Sequence, residues 1–392
     1  MACILLGWEL GANRGHVVRL AEIAARLMAD GHSVHAALQN VDGAVDILPD
    51  GVVLWQGPVW PRLLVNVSRL TGPPVATMAD ILARLGLDRS ESLAGLIHAW
   101  DSLLRAIDPD IVIADFAPAL LCAAAGRVPA IAVGTSFERV PGSLAAFPSL
   151  TGERPVFDES ALLDATNHAL RATGRAPIAA LPQLFRADRS LVASFREIDV
   201  YADARTESPV APSIGSGAPA LSDGKGEEVF VYGFEAMMAD AALWDGLAKS
   251  GLPVRVHVPR ATPALSERLT ALGFAFEPEP LPFDRIARDS RILVSHGGHG
   301  FVSAALLCGL PQVVTHYDLE KRGYADCVVK LGLGGQVPLL AIRAEPFAES
   351  LRRLYADDAL AARARAAAPG FHAQMDRLID EEVASAVAEL RP

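Results

Sequence analysis

The chain has 392 residues, 51% of them hydrophobic and 21% charged, with a net charge of −11. That length allows two domains, each with its own core, and the composition excludes a disordered chain. The acidic balance argues against nucleic acid as a partner, because neutralising phosphates needs basic patches.

Met1 leads at once into apolar Cys3–Leu6, with no basic segment before it, so no cleavable leader is expected. No window approaches the ~20 apolar residues of a membrane span, so no integral membrane segment is expected. The four cysteines, Cys3, Cys122, Cys308 and Cys327, sit in apolar runs. They read as reduced core residues, which fits a cytoplasmic protein.

Residues 3–7 read as a buried strand, followed by a glycine-bearing loop through residues 8–16. A helix then carries Val17, Leu20, Ile23, Ala24 and Leu27 at helical spacing and stops at Asp30-Gly31. Residues 33–38 alternate towards a second strand. Residues 78–85 and 93–107 read as helical, and 111–114 as a buried strand ending at Asp115. A small-residue helix over 117–125 and a strand over 130–133 follow, with residues 191–195 as a last strand. This alternation is that of a doubly wound parallel sheet. Apolar periodicity vanishes over 205–227, where Ser, Pro, Gly and Ala dominate, as in a linker. It resumes with strands at 228–233, 254–258, 292–295 and 312–315, and the tail 344–390 reads as helical. The domains expected are 1–205, a linker at 206–227, 228–375, and a carboxyl-terminal helix in 376–392 that packs back on the first domain.

Two places carry chemistry. Ile292-Leu293-Val294-Ser295 runs into His296-Gly297-Gly298-His299-Gly300 and then an apolar helix. Strand, glycine turn and helix start together aim unpaired N–H groups and the positive end of a helix dipole at one spot, an anion site. His296 adds a ring donor. As a connection alone such a turn is common, and His299 and Ser303 stand nearby as further donors. In the first half, His16 lies where the first loop meets the first helix. Asp115 ends a strand of the same sheet, within reach of the far ring nitrogen. A neutral imidazole there can take a proton, and a carboxylate behind it fixes the tautomer; the alternative roles are a core histidine and a helix cap. Trp8, Phe116 and Phe137, with Trp55 and Trp60, lie near strand ends and could line an apolar acceptor pocket. Glu9 is placed to contact a polar acceptor.

The Gly15-His16 helix start, the Asp30-Gly31-His32-Ser33-Val34 turn and the strand ending in Asp115 resemble the amino-terminal signature of family 1 glycosyltransferases, the UDP-glycosyltransferase-like enzymes of the GT-B fold. Residues 295–300, with Gly309-Leu310-Pro311 and Gly332-Leu333-Gly334, resemble their donor signature, and 195–199 resembles the segment leading out of their first domain. The resemblance implies an α/β chain of two Rossmann-like domains facing a cleft, the first binding a small hydroxylated acceptor and the second a nucleotide sugar such as a UDP-sugar. It implies an inverting, metal-independent, hexosyltransferase-type enzyme with no cofactor beyond its nucleotide-diphosphate substrate. His16 would be the base and Asp115 its partner. His296, Gly297, Gly298 and Gly300 would hold the diphosphate.

The chain departs from the pattern at four places. Phe301 replaces the usual Thr or Ser, and Ala304 a ribose-binding Glu. Glu320-Lys321 replaces the Asp-Gln pair that holds the sugar, and Pro282-Phe283 stands where a Pro-Gln pair meets the base. Lys321 would suit an acidic or phosphorylated donor, or would point to solvent. Two other functions stay open: a catalytically silent GT-B protein that binds or activates another enzyme, and a nucleotide-sugar epimerase.

Overall fold

The computed structural model describes residues 1–11, 14–63, 74–215, 217–234, 237 and 240–390. Ala12 and Asn13 of the first loop, Ser216 of the expected linker and the last two residues lie outside them.

The first sheet and the helices between its strands comprise β1 (Cys3–Trp8), α1 (Arg14–Ala29), β2 (Ser33–Leu38), β3 (Val53–Gln56), α2 (Met78–Leu82), α3 (Ser90–Ile107), β4 (Ile111–Asp115), α4 (Pro118–Ala124), β5 (Ala130–Gly134), α5 (Glu159–Ala172) and β6 (Arg189–Val192). The second comprises β7 (Glu228–Tyr232), α6 (Ala241–Lys249), β8 (Val254–His257), α7 (Pro263–Ala271), β9 (Ala275–Glu277), α8 (Phe283–Asp289), β10 (Ser290–Ser295), α9 (His299–Cys308), β11 (Gln312–His316), α10 (Leu319–Lys330) and β12 (Gly334–Pro338). Three helices follow: α11 (Ala344–Tyr355), α12 (Asp358–His372) and α13 (Ile379–Leu390).

Both sheets are six-stranded and wholly parallel, in the orders β3-β2-β1-β4-β5-β6 and β12-β11-β10-β7-β8-β9. Parallel strands covered on both faces must be apolar throughout. Accordingly Ile111–Asp115 and Ala130–Gly134 are buried along their whole length. The strand order reverses between β1 and β4 and between β10 and β7, the places where such sheets open a crevice at their carboxyl ends.

Residues divide by contact into two compact units. The first holds Met1–Ser194, Tyr201–Gly215 and the chain from Arg377 on. The second holds Phe195–Val200 and residues 217–376. In the first unit α13 lies on α1 and β6, where Ile379, Val383, Ala386 and Val387 join the core of Ile4, Leu20, Ile23 and Leu27. The second unit has its own core around Val229, Trp244, Val256 and Val294. Among the described residues no helix is long and apolar enough to cross a membrane. All four cysteines are free thiols.

Candidate functional site

In the first unit the register sets Trp8, the last residue of β1, opposite Asp115, the last of β4. Beyond Asp115 the chain turns through Phe116 at φ 43°, a left-handed conformation that costs a non-glycine residue free energy. His16 stands in the first turn of α1 and its Nδ1–H donates to Asp115 Oδ1 at 2.7 Å. Arg19, three residues on along the same helix, donates through Nε to Asp115 Oδ2 and through one terminal nitrogen to Oδ1, both at 2.8 Å. The same nitrogen donates to Glu138 Oε2 at 2.7 Å, and the Thr135 N–H donates to that oxygen at 2.6 Å. Glu138 Oε1 then lies 3.4 Å from His16 Nε2. All four side chains are buried.

Two rings steady the imidazole. Trp8 lies 5.0 Å from it at 20° and Phe116 6.5 Å at 12°. Gly11, at φ 86°, passes so close that a Cβ there would strike Nε2, so only glycine fits. Burial alone would depress the His16 pKa. The charges of Glu138 and Asp115 and the Asp115 hydrogen bond outweigh that and the repulsion of Arg19, and the net shift is upward. The same carboxylates overcome the burial of Arg19 and raise its pKa. His16, Asp115 and Glu138 bring one potential metal-ligand atom each within 4.8 Å of one another. Arg19, bonded to both carboxylates, offsets part of their charge.

In the second unit β10 ends at Ser295, whose Oγ accepts the Gly297 N–H at 3.2 Å. Gly297 turns the chain at φ 86°, and Gly298 is the N-cap of α9, where no side chain closes the helix start. His296 is buried, lies 4.7 Å from the Phe234 ring, and folds over the turn so that a Cβ on Gly298 would meet its Nε2 at 2.7 Å. Burial, with a smaller push from Lys321, brings its pKa down to about 3, so the ring is neutral at physiological pH. Its Nδ1 has no hydrogen-bond partner among the described residues. A helix start that no side chain caps, beside a neutral ring, is chemically suited to an anion.

Several expected site residues sit differently. Glu9 does not line a surface. It is fully buried, its Oε2 accepting the Trp60 indole N–H at 3.0 Å and the Ala119 N–H at 3.1 Å, its Oε1 the Leu120 N–H at 2.5 Å. Its carboxylate closes the start of α4, which explains why it sits next to β1. Trp8, Phe116 and Phe137 are each under a tenth exposed, so Trp8 and Phe116 serve to orient His16 more than to wall a pocket. Ser303 is wholly buried inside α9, away from the helix start. Phe301 stacks on Tyr232 at 5.0 Å within the cluster of Phe230 and Ile286, so packing accounts for it. Lys321 does not point to solvent. Its ammonium is buried 2.5 Å from Glu320 and 3.5 Å from Asp318, and these carboxylates raise its pKa against its burial. Its charge is spent inside the fold, which removes the physical reason to expect an acidic donor. Arg19 and Glu138 were not expected. Arg19 could have been found as the one charge on the apolar stripe Val17, Leu20, Ile23 and Ala24. Glu138 sits in a loop whose geometry the sequence does not give.

The chain has the GT-B fold. Its similarity to solved structures runs over the whole length. The glycosyltransferase of kitacinnamycin matches at TM-score 0.71 and 18% identity over 100% of this chain and 99% of that one. CalG4, the calicheamicin glycosyltransferase, gives 0.71 and 18% over 99% and 98%. The glycosyltransferase VinC, in complex with dTDP, gives 0.66 and 18% over 99% of each chain. At that identity the likeness is one of fold. No protein-family profile and no curated protein matches the chain.

Proposed function

We propose that the chain is a glycosyltransferase that moves a sugar, with inversion, from a nucleotide diphosphate to a hydroxyl of a small acceptor. The observation that carries this reading is the buried His16–Asp115 pair, 2.7 Å apart at the carboxyl ends of β1 and β4. In the reaction the acceptor O–H bond breaks and its proton goes to His16 Nε2. The oxygen's electron pair forms the new bond to the anomeric carbon, and the bond from that carbon to the diphosphate breaks with its electrons leaving on the diphosphate. Asp115 stabilises the imidazolium that forms. The uncapped helix start at Gly298 and the His296 ring meet the charge that builds on the leaving group, which stabilises the transition state more than the ground state. No metal enters the scheme: Arg19 offsets part of the charge of Asp115 and Glu138, and the His16 imidazolium meets the rest.

Calorimetric titration with UDP, dTDP and GDP, followed by turnover of His16→Ala with the tightest binder's sugar, tests it. One nucleotide is expected to bind, and the variant is expected to lose about 10²–10⁴ in kcat, the usual contribution of a positioned base. Absence of binding by all three, or full turnover in the variant, ends the reading. Conversion of one donor into another without any acceptor would point to an epimerase instead.

A further inference from the structure

His16 has its two ring nitrogens next to two different carboxylates. Asp115 takes Nδ1, behind the ring, and Glu138 stands 3.4 Å from Nε2, the nitrogen an acceptor hydroxyl must reach. Glu138 is not there by chance of a floppy side chain. Its other oxygen accepts the Thr135 N–H and a guanidinium N–H of Arg19, and Arg19 in turn is tied to Asp115 through two bonds. Gly11 closes on the same nitrogen from the loop after β1.

The charged groups around the ring are thus Asp115 from β4, Glu138 from the loop after β5, and Arg19 from α1. Arg139, from the same loop, acts on both carboxylates while its own guanidinium donates to the Phe185 carbonyl and Ser190 Oγ. Trp8 and Phe116 add only uncharged surface. An imidazole with a carboxylate at each nitrogen is held in its charged form, and the charged ring has no lone pair with which to accept a proton.

We propose that Glu138 is a positioning residue that guards Nε2: held in place by Arg19 and Thr135, it keeps the His16 ring protonated in the empty site and sets the pH above which His16 becomes a base. The proposal rests on the reading of His16 as the base. As pH rises the Nε2 proton passes to water. Only then does the ring carry the electron pair that takes the acceptor's proton, and the hydroxyl must take the place of Glu138 Oε1 to reach it.

The test is a pH titration of the histidine rings by ¹⁵N NMR in the ligand-free protein, with the His16 signal identified by its loss in His16→Ala. Glu138→Gln keeps an oxygen for the Thr135 N–H but removes the charge, and its His16 midpoint is expected to move to lower pH. Glu138→Asp keeps the charge one methylene further back and is expected to fall between the two; it also stands in if the Gln variant fails to fold. An unchanged midpoint in Glu138→Gln, or in Glu138→Asp where that variant replaces it, overturns the proposal and leaves the base reading standing. Full turnover in His16→Ala removes the base reading, and the guarding role with it, whatever the midpoints.

Discussion

A carboxylate that water cannot reach must be matched by donors or give up its charge, and Glu9 does some of both. Burial drives its pKa up to about 7, against the pull of Trp60, Ala119 and Leu120, which donate to it. Between pH 4.5, its ordinary value, and about 7 the folded protein keeps a proton on Glu9 that the unfolded chain has lost. Stability therefore falls as pH rises through that window, by roughly 3 kcal/mol from this residue alone, and is level above it. Urea unfolding of the parent and of Glu9→Gln at a series of pH values is expected to show the difference in this window shrinking with that sign. A parallel pair of curves would mean that Glu9 stays ionised throughout. At the same scale, His16 and Asp115 were legible because each is tied to a readable element end, a helix start and a strand end. The second carboxylate was not, because residues 135–139 carry no period from which their direction could be read. The sequence left Lys321 between an acidic donor and solvent for a related reason: its spacing does not reveal that Asp318 and Glu320 close over it.

The strand–turn–helix of residues 290–308 is the element to which the proposed function assigns the donor, and its two glycines have different reasons to be glycine. Gly297 needs its left-handed backbone, and a Cβ there would strike Val314. Gly298 has an ordinary φ of −61°, but a Cβ would press on His296. Gly297→Ala is thus expected to lose about 1–2 kcal/mol of stability from the backbone alone, and nucleotide binding with it. Gly298→Ala is expected to melt near the parent while its nucleotide affinity falls tenfold or more. If Gly298→Ala binds as the parent does, His296 has no part in holding a diphosphate. The buried strands and long amphipathic helices of both sheets could be read in order, because fully covered strands are apolar throughout and the helices keep a 3.6-residue period. Edge strands were harder. β3, β9 and β12 are three to five residues long and only partly buried, so their sequences carry little pattern.

At the scale of the whole chain, each unit buries its own core, one around Ile4, Leu20, Ile113 and Val383 and the other around Val231, Trp244 and Val294. The chain returns to the first unit at Tyr201–Gly215 and again after Arg377, so neither unit is one continuous stretch of sequence. Two cores of this kind are expected to melt as two cooperative transitions. The glycine turn belongs to the second unit and the His16 network to the first. A nucleotide diphosphate at 100 times its dissociation constant should therefore stabilise one transition by about 2.7 kcal/mol and leave the other where it was. Val383→Ala, which empties a fully buried site on α13, should instead lower only the other transition, by roughly 2 kcal/mol. Scanning calorimetry of the intact chain, with and without nucleotide, reads both effects at once. A single transition that both the nucleotide and Val383→Ala shift as a whole would show that the two cores do not melt independently, and that helix α13 and the donor turn draw on one shared stability.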